Sequence, residues 1–195
     1  MADPRSARPR AADVSSERPA PASVLRVAVL TVSDAASRGE RTDGSGDAAA
    51  AWVLTLGGAV AARAVVSDDV VPIVRQLAAW CDADVADLVL TTGGTGLSPR
   101  DVTPEATRAA FDREAPGIAE RLRAVTGATF PRAALSRGLA GVRGRTLIVN
   151  LPGSTSGVRD MLAAFEPIAR HAVDIVRGDA TAHDAEQRAH AGAAR

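Results

Sequence analysis

Thr91-Thr92-Gly93-Gly94-Thr95-Gly96-Leu97-Ser98-Pro99-Arg100-Asp101-Val102-Thr103-Pro104-Glu105 is the stretch on which the reading of this chain turns. The apolar run at residues 85–90 leads into it as a buried strand. Beyond it, Thr103 is placed to cap a helix, with Pro104 in the first turn, where a missing N–H costs little. Strand, glycine-rich loop and helix start, in that order, make an anion cradle. Glycines let backbone N–H groups approach a phosphate, a side chain at Gly94 would block that approach, and the helix N-terminus adds positive potential. The loop lacks the Lys of a P-loop and does not read G-x-G-x-x-G, which disfavours both of those nucleotide folds. Asp101 stands out. A carboxylate beside such a cradle repels an anionic ligand unless it holds a cation, typically Mg²⁺. The plainer reading is a glycine-rich turn in which Asp101 helps a helix to start.

Upstream, residues 25–32 form a first strand whose near-continuous apolar character suits a central position covered on both faces. It delivers Ser33 and Asp34 to a strand end, where open α/β sheets place ligands. Residues 35–44 are polar and read as a mobile loop, in which Asp43 is either a substrate contact or a turn residue. Ser45-Gly46 opens a helix that closes at Gly57-Gly58. Residues 59–66 read as a second strand. Asp68 and Asp69 follow at the start of a helix carrying Ile73, Val74, Leu77 and Trp80 at helical spacing, and capping alone accounts for two acids there.

Downstream, residues 104–113 and 118–125 read as helices interrupted by Pro116-Gly117. Residues 135–142 and 145–150 read as two strands joined by Arg143-Gly144. The second ends in Asn150-Leu151-Pro152-Gly153-Ser154, a further loop on the ligand edge. The last helix has Val158, Met161, Leu162, Phe165, Ile168, Ala172, Ile175 and Val176 as an apolar stripe, with Pro167 expected to kink or restart it. This alternation predicts an α/β fold. It is a three-layer α/β/α domain with a mostly parallel sheet and an antiparallel hairpin in the C-terminal half. The domain occupies residues 24–178, between a disordered tail at 1–23 and a frayed one at 179–195.

At 195 residues and 46% hydrophobic content, there is enough chain for one well-filled core. Zero formal net charge argues against a nucleic-acid or membrane surface. All 23 basic residues are Arg, which suits bidentate phosphate contacts but also fits a coding bias. Cys81 is alone, which excludes an internal disulfide and a cysteine-rich metal site. His171, His183 and His190 are scattered. No apolar run reaches membrane-spanning length, and the N-terminus lacks the apolar core of a signal peptide, so a cytoplasmic protein is expected.

The run Thr92-Gly93-Gly94-Thr95-Gly96, followed by Arg100-Asp101-Val102-Thr103-Pro104-Glu105, closely resembles the signature of the molybdenum-cofactor biosynthesis domain. That family includes Mog-type molybdopterin adenylyltransferases, MoaB-type proteins and the G domain of gephyrin. Thr31-Val32-Ser33-Asp34, Thr42-Asp43-Gly44-Ser45-Gly46 and Asn150-Leu151-Pro152-Gly153-Ser154 fit it as well, in family order. The resemblance implies transfer of AMP from ATP to the phosphate of molybdopterin, with release of pyrophosphate. It implies that Asp68 and Asp101 are catalytic and hold Mg²⁺, with Asp69 as the alternative to Asp68. It further implies a substrate-binding set: Ser33 and Asp34, Asp43, Ser45 and Gly46, Thr92 to Gly96 (Gly93, Gly94 and Thr95 between them), Ser136 and Arg137, and Pro152, Gly153 and Ser154. A homotrimer and hand-over to a molybdenum-insertion protein are implied too. The alternatives within the resemblance are a MoaB-type molybdopterin-binding protein without turnover and a gephyrin-like scaffold.

Overall fold

A computed structural model describes residues 24–178. The tails expected at 1–23 and 179–195 lie outside the described residues. The elements run β1 (Arg26–Val32), α1 (Asp34–Ser37), α2 (Gly44–Thr55), β2 (Ala59–Val66), α3 (Val70–Asp82), β3 (Leu88–Thr92), α4 (Thr103–Ala110), β4 (Arg113–Glu114), α5 (Pro116–Gly127), β5 (Ala140–Arg143), β6 (Thr146–Leu151) and α6 (Thr155–Arg177). A 3-10 turn, Pro131–Leu135, links α5 to β5.

The strands form one sheet in the order β2-β1-β3-β6-β5-β4, parallel from β2 to β6 and antiparallel through β5 and β4. Because side chains alternate across a strand, β1 feeds two cores. Val27 and Val29 face Leu162 and Phe165 of α6 and Val53 of α2, whereas Ala28, Leu30 and Val32 face Ile73 and Leu77 of α3 and Ala106 of α4. Each fully buried Leu, Val or Phe contributes about 1.5–3 kcal/mol relative to exposure, so both faces are strongly specified. This is the expected three-layer arrangement, with the expected β5–β6 hairpin. Among the described residues, no helix is long and apolar enough to cross a membrane.

Several local expectations are corrected. The loop after β1 begins as a helix: Ser33 is the N-cap of α1, its Oγ accepting from the Ala36 N–H at 3.2 Å. β3 starts at Leu88 rather than residue 85, because the Asp87 carboxylate is taken by Arg26, at 2.8 Å from both its backbone N–H and its guanidinium. Thr103 does not cap α4. It is the first helical residue, and its hydroxyl turns inward to the Gly93 carbonyl at 2.8 Å. α4 ends at Ala110, not 113, since Arg113–Glu114 pair with β5. Residues 135–139 are not strand: the Arg137 N–H is drawn to the Thr95 carbonyl at 2.8 Å. Finally, α6 runs unbroken through Pro167. Pro167 lies on the exposed side, where water can take the freed carbonyl, while Phe165, Ala169 and Val173 are clamped in the core. Ile175, expected in the stripe, is 50% exposed.

Candidate active site

The four parallel strands end on one edge. The chain goes from β1 to β2 on one side and then crosses back to β3 on the other, so the strand order reverses between β1 and β3. Open α/β sheets place ligands at that crevice. The residues leaving these strand ends are Ser33, Ser67 (followed by Asp68), Gly93 and Pro152.

Gly93 and Gly94 have φ of 94° and 62°, conformations that L side chains rarely adopt. They are also packed from behind: a Cβ on Gly93 would lie 2.2 Å from the Val32 carbonyl oxygen, and one on Gly94 would lie 2.3 Å from Thr103 Oγ1. The glycines therefore let the loop fit the protein's own backbone, in addition to any room they leave for a ligand. A side chain at Gly94 would disturb the loop itself and not merely block an approaching anion.

Two cavities flank this loop. One, of about 520 Å³, is lined by backbone and small polar groups from Ser33, Thr42, Asp43, Ser45, Asp68 and Gly93. The other, of about 340 Å³, has a more apolar wall containing Phe130, Ala133, Leu135 and Met161, with Thr95, Gly96 and Asp101 on the loop side. Gly94, Gly153 and Ser154 line both and form the ridge between them.

Asp68 and Asp34 exchange hydrogen bonds across the strand ends. The Asp34 N–H donates to Asp68 Oδ2 at 2.7 Å and the Asp68 N–H to Asp34 Oδ1 at 3.1 Å. Arg100 donates to Asp34 Oδ2 at 2.5 Å, which together with the Asp68 N–H holds the Asp34 carboxyl below the usual carboxylate range. The other oxygen of Asp68, Oδ1, lies towards Gly94. Asp69 is instead the N-cap of α3, accepting from the Val71 N–H at 3.0 Å. Of the two adjacent acids, Asp68 alone lines the cavity. Asp101 lies on the other side of Gly94, where its Oδ2 accepts from the Ser98 N–H at 2.8 Å and closes a turn.

Asp43 caps α2, taking the Gly46 N–H and the Thr31 hydroxyl, both at 2.8 Å, and the Arg63 guanidinium at 3.1 Å. Ser45 and Thr92 share a hydroxyl contact of 3.0 Å, and Thr92 is wholly buried in β3 rather than on a cavity wall. Ser136 lines the apolar cavity, but Arg137 lines neither. Its side chain reaches back to the glycine loop. The structure thus gathers Ser33, Asp43, Ser45, Asp68, residues 93–96, Asp101, Ser136 and residues 152–154 around one ridge. Gly46 and Thr92 are buried behind that surface, and Asp34 and Arg137 are partly exposed but line neither cavity. Sequence reasoning missed Arg41, Phe130, Arg132 and Met161. Phe130 and Arg132 flank Pro131 in a short non-periodic segment, where only an aromatic residue beside a basic one hints at a site; the Arg132 guanidinium sits 5.0 Å from the Phe130 ring centroid.

Among the described residues, no group of three or more His, Cys, Asp or Glu side chains could hold a metal. The donors present suit Mg²⁺ in its commoner mode, bound by one or two carboxylates together with substrate phosphates and water.

A family model described as probable molybdopterin binding domain matches residues 28–171. The chain is 39% identical over 157 residues to a molybdopterin adenylyltransferase of Helicobacter pylori, covering 80% of this chain and 89% of that protein. It is 38% identical over 141 residues to the molybdopterin adenylyltransferase of Escherichia coli K12, covering 71% and 72%. Among solved structures, it superposes on MoaB of Thermus thermophilus with a TM-score of 0.76 and 51% identity, over 80% of this chain and 98% of that one. For the Mog protein of Mycobacterium ulcerans, the TM-score is 0.74 and the identity 39%, over 78% and 99%. With most of its length matched, and with the glycine ridge at the crevice of the sheet, this chain belongs to the molybdopterin-binding domain family of molybdenum-cofactor biosynthesis.

Proposed function

We propose that this protein is a molybdopterin adenylyltransferase whose reaction takes place over the Gly94–Gly153–Ser154 ridge. A phosphate oxygen of molybdopterin attacks the α-phosphorus of ATP. The bond from that phosphorus to the bridging oxygen breaks, and pyrophosphate leaves. The observation that carries this reading is the pair of cavities sharing one wall. Both are of small-molecule size, and each can seat one substrate so that the two phosphates meet at the ridge.

The obstacle to the reaction is bringing two polyanions together, so the protein's task is positioning and charge compensation rather than covalent chemistry. Backbone N–H groups of residues 94–96 and the N-terminus of α6, which begins beside the ridge at Thr155, would offset developing negative charge, whereas the Gly93 N–H is already donated to the Leu151 carbonyl at 3.2 Å. Asp68 and Asp101, on either side of Gly94, would hold Mg²⁺, which when bound lowers the charge on the ATP phosphates. The binding unit is residues 24–178. The protein acts in the cytoplasm as a homotrimer and passes its adenylylated product to a molybdenum-insertion protein.

A second reading, binding of molybdopterin without turnover, draws support from the likeness to MoaB. Incubation with ATP, Mg²⁺ and molybdopterin separates the two. Stoichiometric release of pyrophosphate, dependent on molybdopterin, is expected. Tight binding of molybdopterin with no pyrophosphate released would establish the second reading instead.

A further inference from the structure

Arg137 projects from the segment between the 3-10 turn and β5, yet it reaches neither cavity. Its Nε donates to the Gly96 carbonyl at 2.7 Å, its second terminal nitrogen donates to the Asp101 carbonyl, and both terminal nitrogens meet the Glu105 carboxylate. One planar fork thus grips both ends of the turn 96–101 and the first turn of α4. The base of the fork is itself braced. The Arg137 N–H donates to the Thr95 carbonyl at 2.8 Å, and Arg123 of α5 donates to the Gly138 carbonyl at 2.8 Å. Within the gripped turn, Ser98 and Asp101 bond reciprocally. The Asp101 N–H donates to the Ser98 carbonyl at 2.9 Å, and Asp101 Oδ2 accepts from the Ser98 N–H at 2.8 Å.

We infer that Arg137 is a positioning residue. It holds the Gly96–Asp101 turn from behind, so that the Asp101 carboxylate stays against Gly96 on the wall of the apolar cavity. An arginine is needed because carbonyls at two separated points and a carboxylate must be engaged at once by donors in a fixed plane. A lysine, with one flexible ammonium, satisfies only part of that set. Most of the donors of this side chain are directed at protein acceptors, which is the geometry of a brace. Ser136, next in the chain, lines the apolar cavity, so the same segment ties that cavity's wall to the Asp101 turn.

The inference rests on the proposed role of Asp101, and the test separates the two. Arg137→Lys should accelerate amide exchange at Ser98 and Asp101 by about tenfold or more, with Leu90 and Val149 in the sheet unchanged. It should lower kcat on the order of 10- to 100-fold, as expected when a reacting group is misplaced by a fraction of an ångström to an ångström, with little change in KM for either substrate. In an Asp101→Asn background the same substitution should have almost no further effect. Glu105→Gln, which keeps both carbonyl contacts, should lose much less than Arg137→Lys. Unchanged exchange at Ser98 and Asp101 would overturn the inference, as would a raised KM with kcat intact, or rate losses that multiply with Asp101→Asn. If Asp101→Asn itself turns over normally, the role proposed for Asp101 fails. The exchange rates at Ser98 and Asp101 then decide alone whether Arg137 holds the turn.

Discussion

The two cavities beside the ridge are built in contrasting ways. The larger is walled by strand ends and the start of α2, with polar groups that bond one another: Asp43 to Thr31 and Gly46, Ser45 to Thr92, Asp68 to Asp34. The smaller is walled on its far side by α5, the 3-10 turn and α6, through Thr126, Phe130, Ala133, Leu135 and Met161, with Phe130 47% and Leu135 53% exposed. A polar wall whose groups are already hydrogen-bonded selects by hydrogen bonding and charge, whereas an apolar wall with half-exposed side chains selects by area and stacking. Two substrates with similar phosphates can therefore be told apart by what lies on either side of the phosphate.

The largest expected effect tests whether the cavities act as one site. Asp68→Asn and Asp101→Asn should each lower pyrophosphate release on the order of a hundredfold or more, with the melting temperature nearly unchanged. The double variant should lose far less than the product of the two, as for groups acting as a unit. Losses that multiply would mean that the carboxylates on the two sides of Gly94 work independently.

Smaller, and aimed at the contrast itself, is Phe130→Ala. Removing an aromatic face from the smaller cavity should weaken one substrate by about two- to thirteenfold, the range for a loss of about 0.5–1.5 kcal/mol. The other substrate's affinity should hold. Titrating each substrate separately gives the answer, and equal weakening of both would dissolve the division of labour. Asp69→Ala should be milder still for activity: it removes the cap of α3 at about 1 kcal/mol of stability, visible in denaturant unfolding, with turnover per folded molecule retained.

The smallest effect concerns acid. Arg100 and the Asp68 N–H hold the Asp34 carboxyl below its ordinary value. A depressed carboxyl contributes stability that is fully present above its unfolded value, about 3.9, and is lost as pH falls through the lower folded value. Arg100→Gln should move that loss to higher pH, with no change in stability near neutrality beyond the loss of an exposed ion pair. A pH-stability profile identical to that of the parent would show that the Arg100–Asp34 contact is not formed in solution.

Much of the fold was legible because its signals are local. The near-continuous apolar run of β1, the glycine stop after α2 and the apolar spacing of α3 need only near neighbours in sequence. The strand-loop-helix around Gly93–Gly96 was also legible as a turn at a strand end, although its positive φ values and the packing behind Gly93 and Gly94 serve the protein's own backbone as well. Side-chain destinations were less legible. Thr103 carries the residue type of a helix cap, and nothing within a turn of it says that the Gly93 carbonyl will take its hydroxyl. Pro167 carries the mark of a helix break, but packing of Phe165 and Val173 against the sheet outweighs one missing hydrogen bond on the solvent side. Arg137 is 41 residues from Gly96 in sequence and beside it in space. Backbone propensity and hydrophobic period act over a few residues and so can be read from the chain. Which acid of the pair Asp68–Asp69 meets the cavity, and which arginine braces the loop instead of facing a ligand, depends on partners that only folding brings within 3 Å or so.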